Sequence, residues 1–452
     1  MGRPTRLFRT SHALSTRCAL IAAATAIAAS ALPATADARG LPLIRDSEIE
    51  ELLRDYAKPI FEVAGLGGGR VDIRIVRSSA FNAFVLDGRN VFMHTGALQQ
   101  SETPNQVIGV IAHEAGHITG GHMAALRNRI QRDQTRILLM RILGIGAAIA
   151  TGNAAAAVAG DQLVLRSLLA ERRSQESAAD QAGLSFLNRT GQSGRGMLQT
   201  FARFARQEFD SNQDPFVRSH PVAARRIATL RRAVRASRFY ETRDTPELQL
   251  RHDLMRAKLT GYLDPPAVAF NRYPRSDQTL PAQYARTIAS FFRGGRQGIN
   301  AASGGVDALI AARPNNAYFH ELKGDLFMRA GRPAQALRPL RRALSIKSRS
   351  PLVQVQLASA LLALNDRSQV APAVKLLRAS LRRDKSPRAY RLLADGFYRQ
   401  GKQALASAAT AQASFIGGNL KRAKQFANRA KPALKRGSPW WVRMDDIINT
   451  EK

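Results

Sequence analysis

Residues 103–122, TPNQVIGVIAHEAGHITGGH, decide how the N-terminal half of this 452-residue chain folds. Thr103 and Pro104 suit the N-cap and the first position of a helix, and the glycines at 120 and 121 suit its end. Apolar residues recur between them at helical spacing, so the HEAGH segment at 113–117 is predicted to lie inside a helix. Its two imidazoles, four residues apart, would share one helix face and could bind one metal ion.

Zinc is the metal that this pair predicts. Zinc accepts neutral imidazole nitrogen, and a catalytic zinc site uses three protein ligands and leaves a fourth position to water. We assign His113 and His117 as ligands of one Zn²⁺ per chain. Glu114 adjoins His113 and can reach the water without binding the metal. It is the expected general base, which takes a proton from the attacking water and delivers it to the leaving amine.

The third ligand decides the class of zinc site. A metzincin would have a histidine where this chain has Met123, and His122 stands one position too early, so His122 is expected at the surface or against a ligand. Glu176 and Asp180 share one face of a later helix, where the first would bind the metal and the second would hydrogen-bond a ligand histidine. The alternative is a charged helix face that pairs with nearby arginines.

A small antiparallel sheet is predicted ahead of this zinc helix. A helix over 46–64 ends at a run of glycines, and the alternation of apolar and charged residues over 71–76 indicates a strand. A second strand over 83–86 leads into an Asp-Gly turn, and a third strand follows over 90–94.

The first residues have the order of a secretory signal peptide, assigned to 1–36. Arginines precede an apolar run from Ala19 to Leu32, and alanines spaced as in a cleavage site follow it. The run is shorter than the ~20 residues of a spanning helix, which leaves a retained anchor as the weaker alternative. Export would place the mature chain in an oxidising compartment, and the only cysteine, Cys18, would leave with the signal peptide.

The stretch 137–160 is the most apolar part of the mature chain, although Arg141 and Asn153 interrupt it. A charged residue costs ~2.5 to 3.5 kcal/mol at the centre of a bilayer, and alanines offset little of that. We therefore predict a helical hairpin that lies over the active site or against a membrane surface, in preference to a membrane span.

Two folded units are expected, because the chain exceeds the usual size of one compact domain. The zinc-protease domain is assigned to 37–240, a Pro-rich and charged connection to 241–280, and a helical-repeat domain to 281–452. A glycine, an alanine five residues on and a second alanine seven further occur three times in the last part, at Gly331, Ala336 and Ala343, at Gly401, Ala406 and Ala413, and at Gly418, Ala423 and Ala430. Small residues let paired helices pack closely, so the pattern predicts a tetratricopeptide-type α-solenoid with a concave groove. The fold class is mostly α with a small antiparallel sheet.

The formal net charge is +34, and the basic residues concentrate in the C-terminal half. Such a field favours acidic partners, anionic lipid headgroups among them, or it marks a well-solvated arginine-rich surface. A nucleic-acid binder is disfavoured, because no recognisable binding motif accompanies the charge and because export would separate the chain from nucleic acid.

The HEAGH segment, the helix with Glu176 and Asp180, and the later Ser219-His220-Pro221 with Arg226 resemble the gluzincin family of the CAAX prenyl endopeptidases and HtpX. A cleavable signal peptide and a tetratricopeptide C-terminus narrow the resemblance to the BepA-like periplasmic zinc metalloproteases that assist outer-membrane assembly. The resemblance covers essentially the mature chain. Its motifs are specific over 80–230 and looser beyond.

The resemblance implies a role for each site residue. It implies zinc binding by His113, His117 and Glu176, base catalysis by Glu114 and orientation of a ligand by Asp180. His220 would polarise the substrate carbonyl or occupy the open zinc position and hold the enzyme latent, and Arg226 would help to order the site. The Asn82-Ala83-Phe84 strand would pair with an extended substrate.

Together these features predict a periplasmic zinc endopeptidase that hydrolyses peptide bonds of misassembled or misfolded envelope proteins and assists their assembly. Its repeat domain would dock on the outer-membrane assembly machinery. The alternative is a chaperone-like scaffold, in which the repeat groove holds outer-membrane clients and the metal site is largely latent. A Glu114→Gln variant that keeps the full biological role would favour the scaffold.

Overall fold

The computed structural model describes residues 41–129, 156–205, 215–221 and 224–451. The predicted signal peptide lies outside these ranges, as does the apolar stretch 137–160 up to residue 155. Among the helices of the described ranges, none is both long and apolar enough to cross a membrane. The described residues are mostly helical, as predicted, with one small sheet.

Helix α1, Ser47–Val63, confirms the helix predicted over 46–64. It begins there because the side chain of Asp46 accepts hydrogen bonds from the main-chain N–H groups of Glu48 and Ile49. Its apolar face packs into a core that includes the sheet and the predicted zinc helix.

The sheet is mixed, whereas the sequence predicted an antiparallel one. Its strands are β1 (Leu43–Ile44), β2 (Asp72–Val76), β3 (Ala83–Val85) and β4 (Asn90–His94), in the order β1-β2-β4-β3. The predicted hairpin of β3 and β4 is antiparallel, but β4 runs parallel to β2. After β2 the chain crosses to the far edge before it turns back, so β4 enters beside β2 in the same direction. Alternating apolar residues indicate a strand but not its direction.

In the described ranges the N-terminal part also contains α2 (Thr95–Gln100), α3 (Pro104–Thr119), α4 (Ala156–Arg189), α5 (Arg195–Phe204), α6 (Pro215–Ser219) and α7 (Ala224–Arg235), and residues 122–129 are helical as well. α3 contains the HEAGH segment, as predicted, and has Thr103 at its N-cap position. The Thr103 side chain makes no capping hydrogen bond, so Pro104 and the buried apolar face define this start.

α3 and α4 approach each other closely because two positions carry glycine. A Cβ at Gly116 would lie 2.6 Å from the main-chain oxygen of Ala179, and one at Gly183 would lie 3.0 Å from the backbone of α3. A larger residue at either position would push the helices apart. This contact brings the face of α4 with Glu176 and Asp180 against the HEAGH face of α3.

The segment 241–280, predicted as the connection, is folded. It forms helices α8 (Pro246–Leu263) and α9 (Pro266–Arg272). Met255 and Leu259 of α8 are buried in the core of the N-terminal part, whereas Leu254 and Ala257 belong to a second core with the helices that follow. One helix therefore contributes to two cores.

Consecutive helices that pack on one another make up the rest of the chain. They are α10 (Leu280–Arg293), α11 (Gly295–Ala312), α12 (Ala317–Arg329), α13 (Pro333–Ile346), α14 (Pro351–Ala363), α15 (Arg367–Leu381), α16 (Pro387–Arg399), α17 (Gln403–Ile416), α18 (Leu420–Ala430) and α19 (Pro439–Asn449). The six alanines of the predicted pattern are buried here. The arrangement is repeat-like, as their spacing predicts.

One copy of the pattern has no glycine at its turn. Gly331 and Gly401 have φ of 70° and 72° at turns between helices, and Asn365 adopts φ of 57° at the turn between α14 and α15. Asparagine visits this left-handed region more readily than most residues with a side chain. Five and twelve residues after Asn365, where the other copies have alanine, this copy has Val370 and Leu377. Both are buried. A search for glycine and alanine therefore misses this copy.

Candidate metal centre

Four buried side chains converge where α3, α4 and the end of α6 meet. One nitrogen or oxygen atom from each of His113, His117, Glu176 and His220 lies within 4.8 Å of the others. α3 supplies two of the histidines, α4 supplies the glutamate, and His220 directly follows α6. The structure thus brings together the three predicted ligands and the histidine of the Ser-His-Pro segment.

The two histidines of α3 present the same ring nitrogen to this group. Nε2 of His117 lies 3.1 Å from Nε2 of His113, and each lies 3.4 Å from a carboxylate oxygen of Glu176. Their other nitrogens have partners outside the group, since Nδ1 of His113 lies 3.0 Å from Oδ1 of Asp180 and Nδ1 of His117 lies 2.9 Å from Nδ1 of His122. Nδ1 of His113 faces Asp180, so loss of the proton from Nε2 would leave Nε2 as the donor to a metal.

His220 completes the group and also contacts the sheet. Its Nδ1 atom lies 3.2 Å from Nε2 of His113 and 3.2 Å from Oε2 of Glu176. Its Nε2 atom lies 3.1 Å from the main-chain oxygen of Ala83 in β3. A carbonyl oxygen can only accept a hydrogen bond, so Nε2 carries the proton. The other ring nitrogen, Nδ1, therefore faces the group.

Arg226 of α7 holds both carboxylates of α4. Its guanidinium donates to the two oxygens of Asp180 at 2.6 and 2.8 Å, and its Nη1 atom lies 2.9 Å from Oε2 of Glu176. Nη1 also donates to the main-chain oxygen of Pro221 at 2.9 Å, next to His220. Arg226 is only 8% exposed. It therefore ties α4, α7 and the His220 segment into one buried network of charge-assisted hydrogen bonds.

Two further residues of this network carry no local sequence signal. Arg172 of α4 donates to the main-chain oxygen of Ser219 at 2.7 Å. The Phe201 ring lies 5.0 Å from the His113 ring, and the guanidinium of Arg226 lies over it at 5.1 Å. One is an arginine among several and the other a phenylalanine on an amphipathic helix, so only the tertiary structure identifies them.

Glu114 lies beside the group without joining it. It is 1% exposed, and Oε1 has no hydrogen-bond partner among the described residues, the nearest ring nitrogen being Nε2 of His220 at 3.4 Å. Leaving a buried acceptor unpaired costs about 1–3 kcal/mol. Such an atom suits a base whose partner is the reacting water.

The charges of the network reinforce one another. Burial would raise the pKa of Glu176, but the neighbouring histidines, His220 foremost, hold that pKa well below its usual range. Burial would likewise raise the pKa of Asp180, but Arg226 and His113 lower it. Burial would lower the pKa of His113, yet Asp180 and Glu176 raise it to about 9. Both carboxylates of α4 therefore stay ionised, and a carboxylate has to be ionised to bind a metal.

The Asn82-Ala83-Phe84 segment lies at the edge of the sheet and next to the metal group. β3 pairs with β4 on one side, and within the described ranges no other strand pairs with it. Oγ of Ser219 donates to Oδ1 of Asn82 at 3.1 Å, beside the contact of His220 with Ala83. The Ser219-His220 segment thus lies along this edge.

The donor set fits zinc. Imidazole nitrogen and carboxylate oxygen are its usual ligands in four-coordinate sites, whereas calcium and magnesium prefer shells of oxygen alone. Metal-binding histidines commonly direct their second nitrogen at a carboxylate, and His113 does so towards Asp180. The orphaned oxygen of Glu114 adds the base that a hydrolytic zinc site needs.

Residues 44–234 match the model of Peptidase family M48. A relative from Yersinia pestis, named beta-barrel assembly-enhancing protease, is 23% identical over 419 residues, which cover 90% of this chain and 84% of the relative. The protein of the same name from Escherichia coli (strain K12) is 24% identical over 420 residues, with the same coverage of both chains.

A shorter match covers the N-terminal part. Metalloprotease LoiP of Escherichia coli (strain K12) is 26% identical over 186 residues, 39% of this chain and 70% of the relative. Among solved structures, a chain titled MamA MSR-1 C2 aligns with 41% of this chain and 99% of its own length, at 16% identity and a TM-score of 0.30.

Proposed function

The chain carries a peptidase family M48 domain and is a metalloprotease, and from this premise we propose that it is a zinc-dependent endopeptidase that cleaves misassembled or misfolded envelope proteins. The observation that carries the proposal is the convergence of His113, His117 and Glu176 beside the buried Glu114. These three residues would hold one zinc ion. Zinc bound there supplies a Lewis acid that polarises water and the peptide carbonyl.

Glu114 acts as the general base. It takes a proton from the water that attacks the peptide carbonyl carbon, and it delivers that proton to the amine nitrogen as the C–N bond breaks. Its Oε1 atom has no competing hydrogen bond among the described residues, so it is available for this exchange. Asp180 and Arg226 do not touch the substrate in this mechanism; they keep His113 and Glu176 in place.

His220 closes the site in the conformation described here. A catalytic zinc site keeps one position for the reactants, and Nδ1 of His220 stands as a fourth donor beside the other three. The enzyme is therefore proposed to be latent at rest. Displacement of the 219–221 segment would open the site.

The substrate is proposed to bind as an added strand on β3. An extended peptide that pairs with an open edge gains main-chain hydrogen bonds whatever its sequence, which suits an enzyme that acts on unfolded clients. The main-chain groups of Asn82, Ala83 and Phe84 would form this pairing, next to Glu114 and the metal group.

The clients and the location are proposed from the relatives. Proteins named beta-barrel assembly-enhancing protease align with 90% of the chain, which supports outer-membrane proteins as clients and the periplasm as the site of action. The predicted signal peptide is in keeping with export. The repeat helices would dock on the assembly machinery, and the net charge of +34 would favour peripheral contact with anionic membrane.

A second function, that of a chaperone-like scaffold, is favoured by the position of His220. With four donors filling the metal group, the resting chain would hold clients without cutting them. One protein could perform both functions. Loss of the base Glu114 would abolish cleavage and leave the holding of clients intact.

Zinc content and proteolysis of the mature chain test the enzyme directly. We expect the wild type to bind one zinc per chain and to cleave unfolded casein. Glu114→Gln should keep the zinc and cleave casein at least about 10²-fold more slowly. Glu102→Gln, an exposed glutamate on a loop, is the matched control and should keep full activity. No bound zinc, or cleavage that survives Glu114→Gln, would remove the catalytic assignment. Full support of outer-membrane protein assembly by Glu114→Gln would establish the scaffold.

A further inference from the structure

A cavity of about 830 Å³ lies away from the metal group, where the start of α1 and strand β2 meet two turns of the repeat helices. These turns are residues 346–352, between α13 and α14, and residues 381–385, between α15 and α16. We call it the junction cavity. Its volume is within the ~300–1,000 Å³ of ordinary ligand pockets, and it opens to solvent.

The lining of the junction cavity is unusually charged. Eight of the lining residues are basic, among them Arg349, Arg382, Arg383 and Lys385 of the two turns, and four are acidic. Basic side chains therefore outnumber carboxylates two to one in a confined space.

Each of the four carboxylates already has a cation. Arg45 bridges Glu50 at 2.6 Å and Asp384 at 2.8 Å. The other two acids are paired as well, Glu51 with Lys347 at 2.5 Å and Asp72 with Arg74 at 3.0 Å. These pairs cancel the negative charge of the walls.

The remaining cations on the repeat side are unpaired. Within the described ranges, no carboxylate lies within ion-pair distance of Arg349, Arg382, Arg383 or Lys385. All four are exposed. Two successive turns thus carry four exposed cations, without a carboxylate partner, beside one cavity, where they would attract an anion.

Two serines cap the helices that follow these turns. Ser350 caps α14 by accepting from the N–H of Val353, and Ser386 caps α16 by accepting from the N–H of Ala389. Arg45 holds the second turn through its pair with Asp384. Both helices begin at the cavity, so the positive ends of their dipoles add to the field.

We propose that the junction cavity is a docking site for an extended acidic segment of a client or partner protein, rich in aspartate and glutamate. Guanidinium groups bind carboxylates through paired, charge-assisted hydrogen bonds. A peptide fits better than a dense polyphosphate, because spaced carboxylates can meet the four unpaired cations while the wall carboxylates accept from peptide N–H groups. This site needs neither metal nor cleavage, so it stands apart from the proposed protease activity.

Binding of a short fluorescent peptide of alternating glutamate and glycine to the full mature chain, followed by anisotropy, tests the site. Arg382→Gln with Arg383→Gln should weaken binding about tenfold or more. Arg338→Gln with Arg341→Gln, which removes two exposed arginines of α13 outside the cavity, is the matched control and should change affinity less than about twofold. The Glu114→Gln chain should bind as tightly as the wild type, which separates docking from catalysis.

Several outcomes would overturn the proposal. Equal losses in the two double variants would reduce the binding to non-specific attraction by net charge. No loss in either would place the peptide elsewhere. Stronger competition by pyrophosphate or by vesicles of anionic lipid than by an unlabelled glutamate peptide of equal charge would assign the cavity to a phosphate-bearing ligand.

Discussion

Nε2 of His220 donates to the main-chain oxygen of Ala83 over 3.1 Å, while Nδ1 of the same ring faces the metal group. One side chain therefore closes two parts of the proposed active site, the fourth metal position and the strand edge where a substrate would pair. A substrate strand on β3 and the resting position of His220 compete for the same carbonyl oxygen. Binding of an extended client would then favour release of the imidazole from the metal group.

His220→Ala should raise the rate of casein cleavage several-fold, because it frees the fourth position and the carbonyl oxygen of Ala83 together. The gain should appear in kcat and also as a lower KM, since substrate no longer has to displace the ring. If His220 mainly polarises the substrate carbonyl, the rate should instead fall by about 10²–10³-fold. Steady-state kinetics of the two chains, with zinc content measured for each, decides between these roles.

Arg226→Lys should weaken zinc binding about 10–100-fold, although it keeps the charge. Lysine cannot reproduce the paired hydrogen bonds to Asp180, nor reach Glu176 and Pro221 at once. Competition with a chelator measures the affinity. Arg225→Lys, on the same helix but exposed, is the control and should leave it unchanged. Equal affinities in the two variants would show that the Arg226 network does not support the metal site.

Gly116→Ala should lower both stability and zinc affinity, because the new methyl group would meet the main-chain oxygen of Ala179 at 2.6 Å. Overpacking of this kind costs about 1–3 kcal/mol, and the shift would move Glu176 away from the two histidines. Gly304→Ala in α11 is the matched control, since a Cβ there meets nothing within 4 Å. It should be neutral or stabilising by up to about 1 kcal/mol. Denaturant unfolding and chelator competition measure the two effects.

The sequence predicts those parts of the site whose geometry is local. His113 and His117 are four residues apart on one helix, and so are Glu176 and Asp180, so helical periodicity alone places each pair on one face. The approach of the two helices depends on Gly116 meeting Ala179, and the role of Arg172 depends on a carbonyl 47 residues away. These contacts are tertiary, and no local pattern encodes them.

The same limit applies to the fold. Apolar alternation locates the strands, but the parallel pairing of β2 with β4 follows from the path of the chain between them. The glycine and alanine pattern does not detect the repeat at Asn365, because asparagine there adopts the left-handed conformation that glycine adopts in the other copies. The pattern to search for is the backbone conformation and the buried positions after it, rather than the residue types.

A buried cluster links α1 to the repeat helices. Nζ of Lys258 in α8 lies 2.8 Å from Oδ2 of Asp46 and 3.1 Å from Oε2 of Glu48, which also accepts from the hydroxyl of Tyr284 at 2.9 Å. Nearby in α12, Glu321 accepts from the hydroxyl of Ser47. The ammonium group of Lys258 therefore lies among three carboxylates, of which Glu48 and Glu321 are buried, and burial raises the pKa of both.

Glu321→Gln should remove a pH dependence of folding stability. Burial raises the pKa of Glu321 to about 7 from its ordinary value near 4.5, so the folded chain binds more protons than the unfolded chain between these values. Stability of the wild type should therefore fall as pH rises from about 4.5 to about 7, by an amount on the order of 1–3 kcal/mol. Glutamine keeps contacts with Ser47 and Gln356 without ionising.

The difference between wild type and variant isolates this group from the others that titrate. In urea unfolding of both chains at several pH values, Glu321→Gln should be the more stable chain above pH 7 and should lose that advantage towards pH 5. Glu102→Gln, which changes an exposed side chain, should differ from the wild type by the same free energy of unfolding at every pH. A variant that is less stable than the wild type at every pH would mean that ionised Glu321 is a net partner of Lys258, and that Glu48 carries the proton instead.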